Sequence, residues 1–269
     1  MQLEGRKAVL EALKHNKPID RLLLRKEADE ALTGTLKMIA AKAREQGVVI
    51  TTVTKAKLDA LAQSGNHQGV IALCPAKDYV EVADIFNIAA ERNEPPFIVI
   101  LDGIVDPHNL GAILRTAEAG GVHGVIIPKR RAVGLTGAVA KVSAGAIEHI
   151  AVAKVTNLGR AIDDMKAAGL WVVCADMDAD TNMKDVNDEP SGTRTSSGGT
   201  SLHKADLSGP IALVIGAEGA GVSRLVKEKS DFAVSIPMLG QISSLNASVA
   251  AGIMIYEVVR ARMTAQTAN

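Results

Sequence analysis

Three short segments of the 269-residue chain carry residue types from which a group-transfer site could be built. The first is Asp106-Pro107-His108-Asn109-Leu110-Gly111, with Arg115 four residues beyond Gly111. The second is Gly216-Ala217-Glu218-Gly219-Ala220-Gly221. The third spans residues 237–244 and continues into Leu245-Asn246-Ala247-Ser248. Each follows an apolar run, at 97–101, 211–215 and 232–236, so each reads as the loop at the carboxyl end of a strand. In an open α/β sheet, ligands sit outside those ends, so the three loops are expected to meet at one pocket. Arg115 can hold a phosphate with its planar fork. It stays protonated in proteins, which suits a clamp or a stabiliser of a developing alkoxide rather than a base. Its simpler alternative is an ion pair with Glu118 one helical turn on. Glu218 reads either as a carboxylate that orients Arg115 or Asn109 or as an acid at a helix start. Ser244 and Asn246 offer a hydroxyl and an amide to a sugar, and Asn109 could orient their loop; local turn capping is the alternative for each. Gly216 and Gly219 would let backbone approach a ligand closely.

Several chemistries are excluded by spacing. Gly216-x-x-Gly219-x-Gly221 is not the Gly-x-Gly-x-x-Gly of a dinucleotide fold, and no Gly-Lys-Ser/Thr of a P-loop follows it, which argues against a nucleotide-dependent dehydrogenase. The six His and two Cys show no metal-ligand spacing, so no metal is expected. His108 lies beside Asn109 but is not assigned as a base.

The positioning elements follow from the apolar runs. Those at 97–101, 125–127, 150–153, 171–175, 211–215 and 232–236 alternate with helix-like stretches, which predicts an α/β fold with a mostly parallel sheet covered on both faces. Residues 1–75 read as a separate small α/β sandwich, with helices at 5–14, 27–46 and 55–62 and strands at 19–24, 48–53 and 70–73. His67-Gln68-Gly69 forms a turn ahead of its last strand. Residues 76–96, punctuated by Pro95 and Pro96, read as a linker or an added helix, and 97–269 as the second domain. Within it, the Ser/Gly/Thr-rich stretch 187–204 cannot bury a core and reads as an inserted surface loop.

Hydrophobic residues make up 47% of the chain and aromatics only 2%, so the core must be built from Ala, Val, Ile and Leu. The same scarcity argues against recognition of nucleic acid by stacking on aromatic platforms. The formal net charge is zero, yet residues 1–75 hold twelve Lys/Arg against eight Asp/Glu, and the remainder eighteen against twenty-two. A mildly basic amino-terminal module could contact phosphates; ordinary surface charge is the alternative. Cys74 and Cys174 sit in apolar runs and read as reduced core residues. Residues 1–10 carry Glu4, Arg6 and Lys7, and no uncharged run approaches membrane-spanning length, so the chain reads as cytoplasmic, with no membrane partner.

The three segments resemble the motifs of the SpoU/TrmH family of RNA ribose 2′-O-methyltransferases, within the SPOUT class. The Asn-x-Gly-x-x-x-Arg motif is Asn109, Gly111 and Arg115; the strand ending in Gly-x-Glu-Gly is 213–219; Ile-Pro-Met and Ser-Leu-Asn-x-Ser are Ile236-Pro237-Met238 and Ser244-Leu245-Asn246-Ala247-Ser248. The resemblance covers 96–262, and residues 3–74 resemble the substrate-binding domain of the members that modify 23S rRNA guanosine. It implies S-adenosylmethionine as cofactor, bound by main-chain groups of Gly216, Ile236 and Leu245 with Gly219, Pro237 and Met238 alongside. It implies Asn109, Arg115, Glu218, Ser244 and Asn246 as catalytic residues. It further implies RNA as partner, a homodimer, and a deep trefoil knot around the last strands and final helix. The small residues Ala247, Ser248, Ala250, Ala251 and Gly252 are compatible with such close backbone approach. Methylation of tRNA or of another rRNA ribose is the nearest alternative. A non-catalytic RNA-binding or ribosome-assembly factor would be expected to lack Asn109, Arg115 or Glu218, and all three are present. An RNA contact from 187–204 through Arg194 and Lys204 is a further option.

Overall fold

The computed structural model describes residues 1–25, 34–176, 199–242 and 244–267. They divide into two compact units, one of Met1–Asp78 with Gly134–Gly137, the other of Tyr79–Val133 with Ala138–Asn269.

The first unit contains β1 (Gln2–Glu4), α1 (Arg6–Lys14), β2 (Arg21–Arg25), α2 (Gly34–Glu45), β3 (Val49–Val53), α3 (Lys55–Leu61) and β4 (Val70–Leu73). Its four-stranded sheet runs in the order β1-β4-β2-β3, with β2 and β3 parallel and the other pairs antiparallel. Alternation along β2 sends Leu22 and Leu24 to a core with Val9, Leu13 and Ile39, and Leu23 to the opposite face with Leu58 and Ile71. The sheet is thus sandwiched between α1 with α2 and α3. Strand β1 was not anticipated, because three residues carry too little pattern. Part of the helix expected over 27–46 lies outside the described residues; the described part begins at Gly34.

The second unit contains α4 (Val82–Glu91), β5 (Phe97–Asp102), α5 (Pro107–Ala119), β6 (Gly124–Pro128), α6 (Gly137–Val142), β7 (Ala151–Val155), α7 (Leu158–Ala167), β8 (Trp171–Ala175), β9 (Gly199–Ser201), β10 (Ile211–Gly216), α8 (Arg224–Lys229), β11 (Phe232–Ser235) and α9 (Ala247–Thr267). Seven strands pair in parallel in the order β7-β6-β5-β10-β8-β11-β9. The central strands are aliphatic throughout because both faces are covered. Ile98, Ile100, Ala212 and Val214 join a core with Ile85 of α4, Ile162 and Met165 of α7 and Val226 of α8. Val99, Leu101, Leu213 and Ile215 alternate to the other face, where α5 and α9 pack. Each fully buried Ile or Leu of this kind contributes about 1.5–3 kcal/mol.

Of the two readings of 76–96 the structure shows the added helix, and part of 187–204 differs from the surface loop expected. Within 76–96, α4 is a full core layer: Ile85 is buried, and a Cβ on Gly124 of β6 would come within 2.5 Å of its side chain. Within 187–204, residues 199–201 form the edge strand β9, while 187–198, with Arg194, lie outside the described residues. The close approach of α5 to α9 depends on Gly120, where a Cβ would meet Ile255 Cγ2 at 2.6 Å; at Gly252 the nearest atom is 3.7 Å away.

Strand order fixes where chemistry can occur. The chain passes from β5 outward to β6 and β7, then returns to place β10 beside β5. The carboxyl ends of β5, β10, β8 and β11 therefore lie side by side at a topological switch point.

Candidate functional site

The first loop is set by its helix start. Asp106 caps α5 by accepting from the backbone N–H groups of His108 and Asn109, each at 3.2 Å, and Pro107 occupies the first turn, where its missing N–H costs nothing. Gly111 serves packing: a Cβ there would lie 2.6 Å from Val142 Cβ and 3.1 Å from the Val139 carbonyl of α6. Gly111 is therefore buried, whereas Arg115, one turn on, is exposed. Among the described residues Arg115 forms no ion pair, with Glu118 or any other acid, so its cation faces solvent.

The second loop folds back on itself. Ala217 and Gly221 exchange backbone hydrogen bonds of 3.1 and 2.8 Å, closing a tight turn with Gly219 and Gly221 at φ of 77° and 64°. A Cβ on Gly216 would sit 2.1 Å from the Gly221 carbonyl carbon, a backbone atom that cannot yield. Gly216 thus makes room first for the chain's own return, not for a ligand. Glu218 is exposed at the turn, and no hydrogen bond or ion pair joins it to Arg115 or Asn109. Exit from the turn is tied to β5, because Asp102 Oδ2 accepts from Ser223 N–H at 2.8 Å.

The third loop ends in a cap. Asn246 Oδ1 accepts from Ser248 N–H at 2.9 Å and from Ser248 Oγ at 2.6 Å, and the Asn246 carbonyl accepts from Ala250 N–H, so Asn246 starts α9. Its Nδ2 donates to Asn109 Oδ1 at 3.0 Å, which joins the first loop to the third.

A pocket of about 270 Å³ opens between the second and third loops. Gly216, Glu218, Gly219, Ile236, Met238, Ser244 and Leu245 line it, together with Ala175, Asp176, Val222, Lys227 and Val234. Asn109, Arg115, Asn246 and Pro237 do not line it, so the expected site residues fall into a pocket set and a set beside it. The lining is mostly apolar with exposed main chain and a few polar groups, the make-up of a small-molecule site. Among the described residues no three His, Cys, Asp or Glu are placed to hold a metal ion.

This arrangement can be set beside known proteins. The SpoU rRNA methylase family matches residues 96–256, and the module described as RNA 2′-O ribose methyltransferase substrate binding matches residues 2–80. The chain belongs to the SpoU/TrmH family of RNA methyltransferases. A Bacillus subtilis protein assigned by name to the TrmH family of tRNA/rRNA methyltransferases is 46% identical over 258 residues, covering 96% of this chain and 94% of its own. An AdoMet-bound rRNA methyltransferase structure from Sinorhizobium meliloti is similar with a TM-score of 0.56 and 25% identity, over 96% of this chain and 86% of that one. The SpoU methyltransferase AviRb from Streptomyces viridochromogenes shares the fold, with a TM-score of 0.57 at 24% identity over 98% of this chain and 91% of its own.

Three groups in this SpoU/TrmH site escaped the sequence reading: Asp102, Asp176 and Lys227. Asp176 and Lys227 form an ion pair at the pocket wall. Each is a lone charged residue near a strand or helix end, and only strand order reveals that they meet. In the first unit, His67 proves to be a buried staple: its Nδ1 accepts from Gly69 N–H and its Nε2 donates to Asp59, both at 2.9 Å. Gln68 instead engages Arg6, through its side chain and its carbonyl.

Proposed function

We propose that this chain methylates the ribose 2′-hydroxyl of a guanosine in 23S rRNA, with S-adenosylmethionine as methyl donor. The observation that carries the reading is the pocket at the switch point, walled by the Gly-x-Glu-Gly and Ile-Pro-Met/Ser-Leu-Asn-x-Ser loops. Its residues fit that cofactor. Main-chain groups at Gly216, Ile236 and Leu245 suit the edge of an adenine, and the apolar walls from Ala175, Val222, Val234 and Met238 suit its faces. When bound, the cofactor supplies a methyl group on a sulfonium. The chain's own residues do the positioning. Ser244 lines the pocket and can offer its hydroxyl there, while the Asn109–Asn246 bond holds the first and third loops together. Arg115, exposed and without an acidic partner among the described residues, is suited to hold the phosphate next to the reacting ribose and to stabilise negative charge as the hydroxyl loses its proton. Glu218 contributes an exposed carboxylate to the pocket lining. The rRNA guanosine target is supported by the pairing of this site with a separate, mildly basic amino-terminal module.

A homodimer belongs to the same proposal. Val249, Ile253, Tyr256 and Met263 lie on the outer side of α9 and are 49%, 37%, 51% and 63% exposed, an apolar helix face that a second copy would cover. Arg115 stands outside the pocket of its own chain, so a second copy is one route by which it reaches the reacting hydroxyl. Light scattering at micromolar concentration is expected to give a dimer, and Tyr256→Glu a monomer.

The test of the activity is methyl transfer from radiolabelled cofactor to total rRNA and total tRNA, with mapping of the labelled nucleoside. Label in 2′-O-methylguanosine of 23S rRNA is expected. Label confined to tRNA would move the target, and label in neither would overturn the enzymatic reading. Arg115→Ala is expected to lose about 3 kcal/mol of transition-state stabilisation, roughly a hundredfold in turnover, while cofactor binding persists. Arg115→Lys is expected to fail as well, because a point charge does not replace a bidentate fork.

A further inference from the structure

Lys129, Arg130 and Arg131 are the only three consecutive basic residues in the chain. Residues 76–269 hold eighteen Lys/Arg against twenty-two Asp/Glu, so the run is not a sample of a generally basic surface. It directly follows β6, at the same carboxyl edge of the sheet as the pocket loops. Strand β6 pairs with β5 and β5 with β10, whose end opens on the pocket. Two strand spacings, roughly 10 Å, therefore separate cluster and pocket along that edge. The segment is pinned at both ends. Lys129 N–H donates to the Val155 carbonyl at 2.8 Å, which continues the β6–β7 ladder, and Val133 N–H donates to the Ile104 carbonyl between β5 and α5 at 2.9 Å. Ala132 is buried between these anchors, whereas Arg130 and Arg131 are exposed and Lys129 is half-buried. Arg131 has φ of 56°, in the left-handed region, so a cation stands where glycine would sit more easily. Among the described residues none of the three side chains forms a hydrogen bond or an ion pair. The acids on the adjoining segment are engaged elsewhere, Asp102 with Ser223 N–H and Asp106 in the cap of α5.

We propose that residues 129–131 bind the phosphates of the RNA strand that flanks the reacting nucleotide. The inference rests on the reading that the pocket serves methyl transfer to a ribose within an RNA chain. Three adjacent cations repel one another, and a polyanion relieves that repulsion by supplying several phosphates at once. The guanidinium forks of Arg130 and Arg131 match phosphate oxygens bidentately, and Lys129 adds a point charge. A surface of unpaired cations reads charge and not bases, so it positions the strand without selecting its sequence. Its task differs from that of Arg115. Arg115 is assigned to the phosphate beside the reacting hydroxyl and acts on turnover, whereas residues 129–131 act on capture and appear in KM.

The experiment compares the full-length wild type with the triple variant Lys129→Gln, Arg130→Gln, Arg131→Gly. Glycine keeps the left-handed backbone at position 131, so the melting temperature and cofactor affinity are expected to stay unchanged. Binding of a fluorescent oligouridylate is measured over a salt series. Single-stranded nucleic acid contributes a slope of about 0.7 in log K against log salt per neutralised phosphate, so the variant is expected to lose about two from the wild-type slope. Its affinity at about 0.1 M salt is expected to fall roughly threefold to a hundredfold, the sum of three exposed charge contacts. In methyl transfer to total rRNA, KM is expected to rise by a similar factor with kcat within about twofold. The charge-conserving pair Arg130→Lys, Arg131→Lys is expected to retain most of the slope, a rescue that a purely structural role for the loop would not produce. An unchanged slope in a triple variant that melts normally overturns the proposal, as does a loss confined to kcat. Binding to polyglutamate that equals binding to the oligouridylate, and falls with it in the variant, overturns the RNA assignment in favour of an acidic protein partner. Wild type that binds the oligouridylate with the full slope yet methylates neither rRNA nor tRNA overturns instead the enzymatic reading on which the inference rests.

Discussion

The hydrogen bond between the first and third loops has a direction, and that direction can be tested. Asn246 Nδ2 donates to Asn109 Oδ1 at 3.0 Å, while Asn246 Oδ1 is occupied by Ser248. Asn246→Asp keeps the oxygen that caps α9, since Asp and Asn serve equally well there. It removes the donor and sets a carboxylate against Asn109 Oδ1. Asn109→Asp, in contrast, keeps the acceptor and the bond. Both substitutions add one negative charge at nearly the same place, so repulsion of an RNA phosphate is common to the two and cancels in their comparison. A neutral hydrogen bond contributes about 0.5–1.5 kcal/mol net, so losing the tie between the loops should lower kcat/KM by roughly two- to thirteenfold relative to Asn109→Asp. Because the pair is exposed, the lower half of that range is expected. Asn246→Ala loses tie and cap together; a cap is worth about 1 kcal/mol, which lowers the melting temperature of a domain this size by roughly 2–4 °C. The assay is transfer of labelled methyl to rRNA under kcat/KM conditions, with a thermal melt of each variant. If Asn109→Asp falls as far as Asn246→Asp, Asn109 acts through its own amide nitrogen and the reasoning fails. If Asn246→Asp melts as low as Asn246→Ala, the cap assignment fails.

Two further outcomes follow from the fold. Removing residues 1–78 is expected to leave a cofactor-binding second unit that no longer methylates rRNA, with RNA affinity of the intact chain falling steeply with salt while cofactor affinity changes little; full-rate methylation by the truncated chain would refute the division of labour. His123 is buried, with Nδ1 accepting from Phe97 N–H at 2.9 Å and Nε2 donating to Glu94 at 3.0 Å, and burial lowers its pKa from the ordinary 6.5 despite the opposing Glu94. The unfolded chain therefore takes up the proton first, so this contribution is whole above pH 6.5 and is lost as pH falls through the folded value. Melting temperature is expected to drop between pH 7 and pH 5, and His123→Gln, which cannot titrate, to flatten that drop; equal slopes in the two proteins would count against it.

What could be read in advance follows from what each signal depends on. The six main strands of the second unit were legible because strands buried on both faces are continuously aliphatic, as in Phe97–Asp102 and Ile211–Gly216. Strand β9 was not, because Gly199, Thr200 and Ser201 carry no apolar pattern; what makes them a strand is the parallel ladder offered by Ala233 to Ser235. Motif residues were legible by type and order. The pairing of Asp102 with Ser223, 121 residues apart, and of Asp176 with Lys227 was not, since nothing local marks one surface acid from another before strand order is known.

The glycines show the same divide within single residues. Both Gly111 and Gly216 stand where a Cβ cannot fit, yet the atoms in the way belong to Val142 and Val139 in one case and to Gly221 and Val222 in the other. Their work is to bring elements of the chain together, and the ligand-facing consequences come second. Gly111 lets α5 settle on α6, so Asn109, two residues earlier on the same helix, can meet Asn246, and Arg115, four residues later, is left exposed. Asn-x-Gly-x-x-x-Arg is then three physical requirements on one helix: a hydrogen-bond acceptor for the third loop, an absent side chain against α6, and a cation in solvent. The spacing of six residues from Asn109 to Arg115 covers well over one turn, about 600° of helix, so the two side chains leave the axis in different directions. One can tie the first loop to the third beside the pocket while the other stays in solvent.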